Sequence, residues 1–171
     1  LADSQTPQGI VAVVQKEEVG QADFSQGKFL FLEDVQDPGN VGTIIRTADA
    51  AGFTGVIVSN KSADIYSLKT LRSMQGSHFH LPIYRMSSQR LLEEAKKAAI
   101  PVLATTLSKD SVDYRELVPI ENFVLVMGNE GQGISPLMAE SANQLVHISM
   151  KGQAESLNVA VAAGILIFHL S

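Results

Sequence analysis

The residues best suited to chemistry lie in two glycine-containing loops. The first is Gly128-Asn129-Glu130-Gly131-Gln132-Gly133-Ile134-Ser135, directly after the apolar run Phe123-Val124-Leu125-Val126-Met127. The second is Ile148-Ser149-Met150-Lys151-Gly152, followed by Glu155-Ser156-Leu157-Asn158-Val159. An apolar run that ends in alternating glycines reads as a buried strand stopping at a loop. Glycine there lets backbone approach a ligand closely and allows positive φ. The second segment repeats the plan, with a short strand, a turn at Gly152 and a helix opening near Ser156. Two such strand ends are where an open α/β sheet holds a ligand. A phosphate cradle fits poorly. Glu130 would sit inside the anion site, no Gly-Lys-Ser/Thr follows, and glycines 128, 131 and 133 do not make Gly-x-Gly-x-x-Gly. A strand–turn–helix connection without a ligand is the plain alternative.

These loops need strands and helices to hold them. Residues 1–8 are polar and read as a frayed end. Residues 9–15 are rich in Val and read as a strand, and 16–28 as a loop or short helix. Residues 29–35 form a second, buried strand. Asp37-Pro38-Gly39-Asn40 is turn chemistry, and Asn40 suits an N-cap for a helix reaching about Ala51, with Gly52 as its stop. Val41, Ile44, Ile45, Ala48 and Ala51 fall on one face of that helix, which leaves Arg46 off the apolar stripe and free to face a cleft. Strands follow at 55–59, 81–85, 101–106, 123–127 and 145–148. Helices follow at 65–75, then from Ser88, its cap, to Ala99 with a Glu93–Lys97 pair, and from Ser135-Pro136 onward. Residues 114–117 read as one helical turn, and 156–170 as a helix apolar on every side. Strands alternate with helices, which gives an α/β fold with a parallel sheet and flanking helices.

The chain has 171 residues, 45% hydrophobic and 18% charged, enough for one domain with a real core. No cysteine is present, which excludes disulfides and thiolate chemistry and is compatible with a reducing cytosol. The longest apolar stretch, 159–170, is too short for a membrane span. The net charge of −5 argues against a nucleic-acid binder unless positive charge is clustered. His78 and His80, two apart, could form a metal pair, but no third ligand is near in sequence. His147 and His169 read as packing or surface residues. The absence of Gly-x-Ser-x-Gly argues against hydrolase chemistry. On sequence alone Arg46 and Arg72 are solvated charges, Glu130 is a capping carboxylate, and Ser156 and Asn158 cap the last helix.

Asn40-Val41-Gly42 with Arg46-Thr47, then the Gly-Asn-Glu-Gly loop, then Ser156-Leu157-Asn158-Val159 resemble, in order, the three motifs of the SpoU (TrmH) family. Those are S-adenosylmethionine-dependent RNA ribose 2′-O-methyltransferases of the SPOUT superfamily. The resemblance covers roughly residues 28–170. It implies a single catalytic domain over 1–171 with a deep carboxy-terminal trefoil knot, and a homodimer made by the knotted region. Pattern alone suggests an ordinary doubly wound sheet, since knots are rare.

The resemblance also implies S-adenosylmethionine as cofactor, with no metal because the methyl group is already activated. Gly128, Ile148 and Leu157, with Thr105, Asn129, Gly133, Met150 and Ser156, are the implied cofactor residues. Asn40, Arg46, Glu130, Ser156 and Asn158 fall on family positions near the reacting hydroxyl, so a catalytic role is implied for them. Arg46 and, by a looser match of Arg72-Ser73-Met74-Gln75-Gly76, Arg72 are implied RNA contacts. Arg46 is either the base or a clamp on phosphate and the developing alkoxide, and arginine's strong hold on its proton favours the clamp. The implied substrate is rRNA or tRNA in the cytoplasm. The chain begins Leu1-Ala2-Asp3, and the expectation is a domain cut from a longer protein whose preceding domain carries the missing basic surface. Two alternatives are a non-catalytic RNA-binding or ribosome-assembly module and a nucleotide-binding enzyme of another kind.

Overall fold

The computed structural model describes residues 9–15 and 19–171. The expectations for residues 1–8 and 16–18 lie outside the described residues. Four stretches that are apolar almost throughout become neighbouring strands, β1 (Lys28–Leu32), β2 (Gly55–Val58), β4 (Val102–Thr105) and β6 (Phe123–Met127), with the short β3 (Ile83–Arg85) at the edge beside β2. With β5 (Val112–Asp113) and β7 (Gln144–His147) they form one sheet in the order β3-β2-β1-β6-β4-β7-β5. Every pairing is parallel, so all carboxy-terminal strand ends share one edge. Strands buried on both faces need no polar alternation, which explains the continuous apolar runs.

The two faces are nevertheless distinct. Leu30, Leu32, Val56, Val58, Phe123 and Leu125 pack with α1 (Pro38–Ala50), α2 (Leu68–Met74) and α5 (Val159–Leu170). Phe29, Phe31, Ile57, Val124 and Val126 pack with α3 (Ser88–Ala98) and α4 (Pro136–Ser141). Late strands fill gaps between early ones: β6 lies between β1 and β4, and β7 between β4 and β5. The expected parallel sheet with flanking helices is the architecture observed.

Several expected boundaries move, each for a local reason. Residues 9–15 form no strand. Ile10 is 88% exposed and Val13 96% exposed. Both edges of β1 are already taken by β2 and β6, so this valine-rich run has no partner there, and strand propensity without a partner is weak. Asp37, not Asn40, caps α1: its carboxylate accepts from the Asn40 backbone amide at 2.9 Å, and Pro38 takes the first helical position. The Asn40 side chain is thereby freed. Likewise Ser87 caps α3 and leaves Ser88 available, and Asn158 rather than Ser156 caps α5. The expected Glu93–Lys97 pair does not form. Lys97 meets Glu94 at 3.0 Å, and Glu93 accepts from Gln89. The helix expected over 65–75 starts only at Leu68, because Ser67 caps it. The strand β5, two residues long, carries no periodic signal from which to expect it.

Gly42 sets the closeness of α1 and α2. A Cβ there would lie 2.6 Å from both the Ser73 Cβ and the Thr70 carbonyl oxygen. The turn of α2 bearing Arg72 therefore sits against α1 one turn before Arg46.

Candidate active site

The first loop is closed on itself. Asn129 and Gly133 exchange both backbone hydrogen bonds at 2.9 Å. The Asn129 side-chain oxygen accepts from the amides of Gly131 and Gln132 at 2.9 and 3.0 Å, while its amide group donates to the Asp34 carbonyl at 2.8 Å. One asparagine thus holds the loop and ties it to the end of β1. Gly133 has φ +70°, a conformation that glycine adopts without cost. Gly128 serves a different need. A Cβ on it would stand 2.3 Å from the Gly133 carbonyl carbon and 2.5 Å from the Ile134 nitrogen. The loop folds back onto this residue, so a side chain there would meet loop backbone.

Glu130 projects from this loop toward α1. Its carboxylate accepts from the backbone amides of Gln36 and Asp37 at 3.2 and 3.1 Å and from the Asn40 side chain at 3.1 Å. The Asn40 side-chain oxygen accepts in turn from Asn158 at 3.1 Å. The Asn158 oxygen accepts from the amides of Ala160 and Val161, capping α5. Three residues 118 positions apart at the extremes form one hydrogen-bonded chain across the β1–α1 turn, the β6 loop and the start of α5. Partial burial alone would raise the Glu130 pKa. The hydrogen bonds from its own amide, Asn40, Asp37 and Gln36 outweigh that and hold it below the ordinary glutamate range.

A cavity of about 420 Å³ opens beside this chain, at the carboxy-terminal ends of β4, β6 and β7. Thr105, Gly128, Asn129, Gly133, Ile148, Met150 and Leu157 all line it, as do Glu130 and Ser156. Val159, Ala162 and Leu166 of α5 close one side. The Thr105 hydroxyl is itself engaged, donating to the Val126 carbonyl at 2.9 Å. Asn40 and Asn158 sit at the rim through the Glu130 chain and do not line the cavity. Arg46 and Arg72 are exposed and also lie outside it. Among the described residues the Arg46 side chain has no hydrogen-bond or ion-pair partner. His78 and His80 do not combine into a ligand set: His80 leans on Asp49 at 3.4 Å, while the His78 ring meets Phe79. Among the described residues no group of three or more His, Cys, Asp or Glu could hold a metal ion.

Glu33 is a supporting residue that sequence reading missed. It is buried, and its carboxylate accepts from Ser88 Oγ at 2.5 Å and from both the amide and hydroxyl of Ser135 at 2.8 Å. It locks the starts of α3 and α4 to the end of β1. The only hint in the sequence is an acidic pair, Glu33-Asp34, directly after an apolar strand, which reads equally well as a turn.

A parallel sheet with late strands inserted among early ones, and a glycine-loop cavity at its carboxy-terminal edge, define an α/β domain with a ligand site at its strand ends. Residues 27–168 match the model of the SpoU rRNA Methylase family, and the chain belongs to that family. It is 44% identical, over 99% of its length and 67% of the relative's, to the 23S rRNA (guanosine(2553)-2′-O)-methyltransferase RlmP of Bacillus subtilis (strain 168). It is 34% identical to the putative TrmH family tRNA/rRNA methyltransferase YacO of the same organism, over 95% of this chain and 69% of that one. Among solved structures it resembles an AdoMet-bound rRNA methyltransferase from Sinorhizobium meliloti, with TM-score 0.80 and 42% identity. That match covers 84% of this chain and 55% of the solved chain, so the present sequence spans little more than half of it. The AdoMet complex of the SpoU methyltransferase AviRb from Streptomyces viridochromogenes gives TM-score 0.77 at 35% identity, covering 87% of this chain and 60% of that one.

Proposed function

We propose that this chain transfers a methyl group from S-adenosylmethionine to a ribose 2′-hydroxyl of ribosomal RNA. The observation that carries the reading is the hydrogen-bonded chain Glu130–Asn40–Asn158, which joins one residue from each of the three motifs at the rim of the cavity. The cavity suits the cofactor. Ile148, Met150, Leu157 and Leu166 offer an apolar wall to a flat purine, and the loop at 128–133 offers backbone groups to its edge. When bound, S-adenosylmethionine supplies an activated methyl group, so the protein's task is to hold the accepting oxygen in line and help remove its proton.

The protein residues divide that task. Glu130 is ionised at neutral pH and fixes the Asn40 amide, so Asn40 and Asn158 form a rigid polar edge beside the cavity. Ser156, exposed and lining the cavity, is free to contact the accepting ribose. Arg46 clamps the RNA phosphate and stabilises the oxygen as its proton departs to phosphate or water. Arg72, on the neighbouring helix, extends the cationic contact along the RNA backbone.

The working form in this reading is a cytoplasmic homodimer. On α5, Val161 and Phe168 are exposed, 53% and 59%, one heptad apart on the face away from its buried residues. A second copy would cover them. The Arg46 side chain, partnerless on its own protomer, is then available to a shared site. Among the described residues no helix is long and apolar enough to cross a membrane.

The relative that acts on a guanosine of 23S rRNA makes that RNA the first substrate to try. The test is incubation of the protein with 23S rRNA from a strain lacking the gene and with labelled S-adenosylmethionine, followed by mapping. One ribose-methylated nucleotide is the expected result. No incorporation, or label on a base, overturns the proposal.

A further inference from the structure

A second polar network lies at the opposite end of the segment that walls the cavity. The segment runs from Ile148 to Leu157 between β7 and α5. Ile148, Met150, Ser156 and Leu157 line the cavity, yet among the described residues nothing from Met150 to Leu157 makes a hydrogen bond. The segment is held at its two ends. The far end is Asn158, joined to Asn40. The near end is Ser149, whose hydroxyl donates to Asp113 in a short hydrogen bond.

Asp113 is itself fixed. It is 8% exposed on the two-residue strand β5 and pairs in register with His147 of β7. Arg115 grips its two oxygens through Nε and a terminal nitrogen at 2.7 and 2.9 Å, and the Arg115 backbone amide adds a third contact at 3.0 Å. Arg115 first, and Ser149 second, hold the Asp113 carboxyl well below the usual carboxylate range. An ionised carboxylate only accepts, so the Ser149 proton is committed to it. The Ser149 oxygen is then left to accept from His147 Nε2 at 3.2 Å, and His147 Nδ1 lies 3.0 Å from the Ser111 hydroxyl.

We propose that Asp113 is a positioning residue for the methyl donor: through Ser149 it sets where Ile148 and Met150 lie against the cofactor. Ser149 stands between those two cavity-lining residues, so fixing its hydroxyl fixes both. Asp113 lines no part of the cavity and touches no reacting atom. Its effect is therefore on cofactor affinity and not on the chemical step.

This rests on the reading of the cavity as the S-adenosylmethionine site, and titration calorimetry of the full chain tests the two separately. If wild type binds no S-adenosylmethionine, the site reading fails. If wild type binds, Ser149→Ala is expected to weaken binding about tenfold, the scale of one hydrogen bond to a charged group. Ser149→Thr, which keeps the hydroxyl, should bind within about twofold of wild type on the same scale. Asp113→Ala, which removes the acceptor that an asparagine would keep, should match Ser149→Ala, and the double variant should add nothing, because both remove one link. Turnover at saturating cofactor should stay near wild type in Ser149→Ala, a split that a general loss of structure would not give. Ser149 is exposed and loses a single oxygen, so Ser149→Ala keeps the test readable even if Asp113→Ala folds poorly. Wild-type affinity in Ser149→Ala overturns the proposal.

Discussion

Glu130 does two jobs with one carboxylate. It satisfies two backbone amides at the β1–α1 turn, and it orients Asn40. Because its folded-state pKa is lowered, its contribution to stability is complete above the ordinary glutamate range and is lost as pH falls through the folded value. Thermal melts of wild type should therefore lose stability as pH drops below that range, and Glu130→Gln should lose less over the same interval. Parallel curves for the two proteins would contradict this. Arg46 presents the opposite case, a charge whose side chain has no partner among the described residues. Arg46→Ala should cut methyl transfer by on the order of 10²-fold or more, the scale of losing one charge-stabilising donor. Cofactor affinity should not change, since Arg46 does not line the cavity, and the melting temperature should stay close to wild type. Arg46→Lys should recover little, because a point charge does not replace a planar two-pronged contact. Near wild-type single-turnover rates in Arg46→Ala would remove the residue from the mechanism.

At the scale of elements, the loop at 128–133 is a folded unit and not an open cradle. Gly128→Ala places a methyl group against the backbone of Gly133 and Ile134, which cannot move without breaking the Asn129–Gly133 pair. The expected cost is about 1–3 kcal/mol in urea unfolding, as for overpacking elsewhere. Gly131→Ala meets only the Asn129 side-chain oxygen, at 3.7 Å, and should cost far less. Equal stabilities would show that the loop can relax around a Cβ. The contrast marks what the sequence could reveal. β1 and β6 were legible because burial on both faces writes an uninterrupted apolar run. The caps at Asp37 and Ser87 lie three and one residues before the expected Asn40 and Ser88, because Asp, Ser and Asn can each cap and only the tertiary partner decides. Glu33 and Asp113 were missed for the same reason: their partners lie 55 and 36 residues away, and nothing local distinguishes them from turn residues.

For the whole molecule, the open question is what covers α5. Its buried residues, Val159, Ala163, Leu166, Ile167 and Leu170, account for only one side of a helix that is apolar all round. Val161 and Phe168 remain on the surface, and at Gly164, between them, even a Cβ would meet open space. That flat apolar strip lies on the helix whose N-cap, Asn158, belongs to the hydrogen-bonded chain at the cavity rim. A second copy of the chain packed there would bury the strip and bring another protomer close to the rim. Phe168→Asp then sets a buried, unpaired charge in the interface, and Val161→Asp does the same one heptad away. Each variant should sediment as a monomer at micromolar concentration where wild type is a dimer. Neither change touches the core, so the melting temperature should fall only by the loss of association. Methyl transfer should be lost with the dimer, while the isolated cavity keeps part of its cofactor affinity. A fully active Phe168→Asp monomer would show that one protomer holds a complete site, and Arg46 would then have to reach its own cavity by moving.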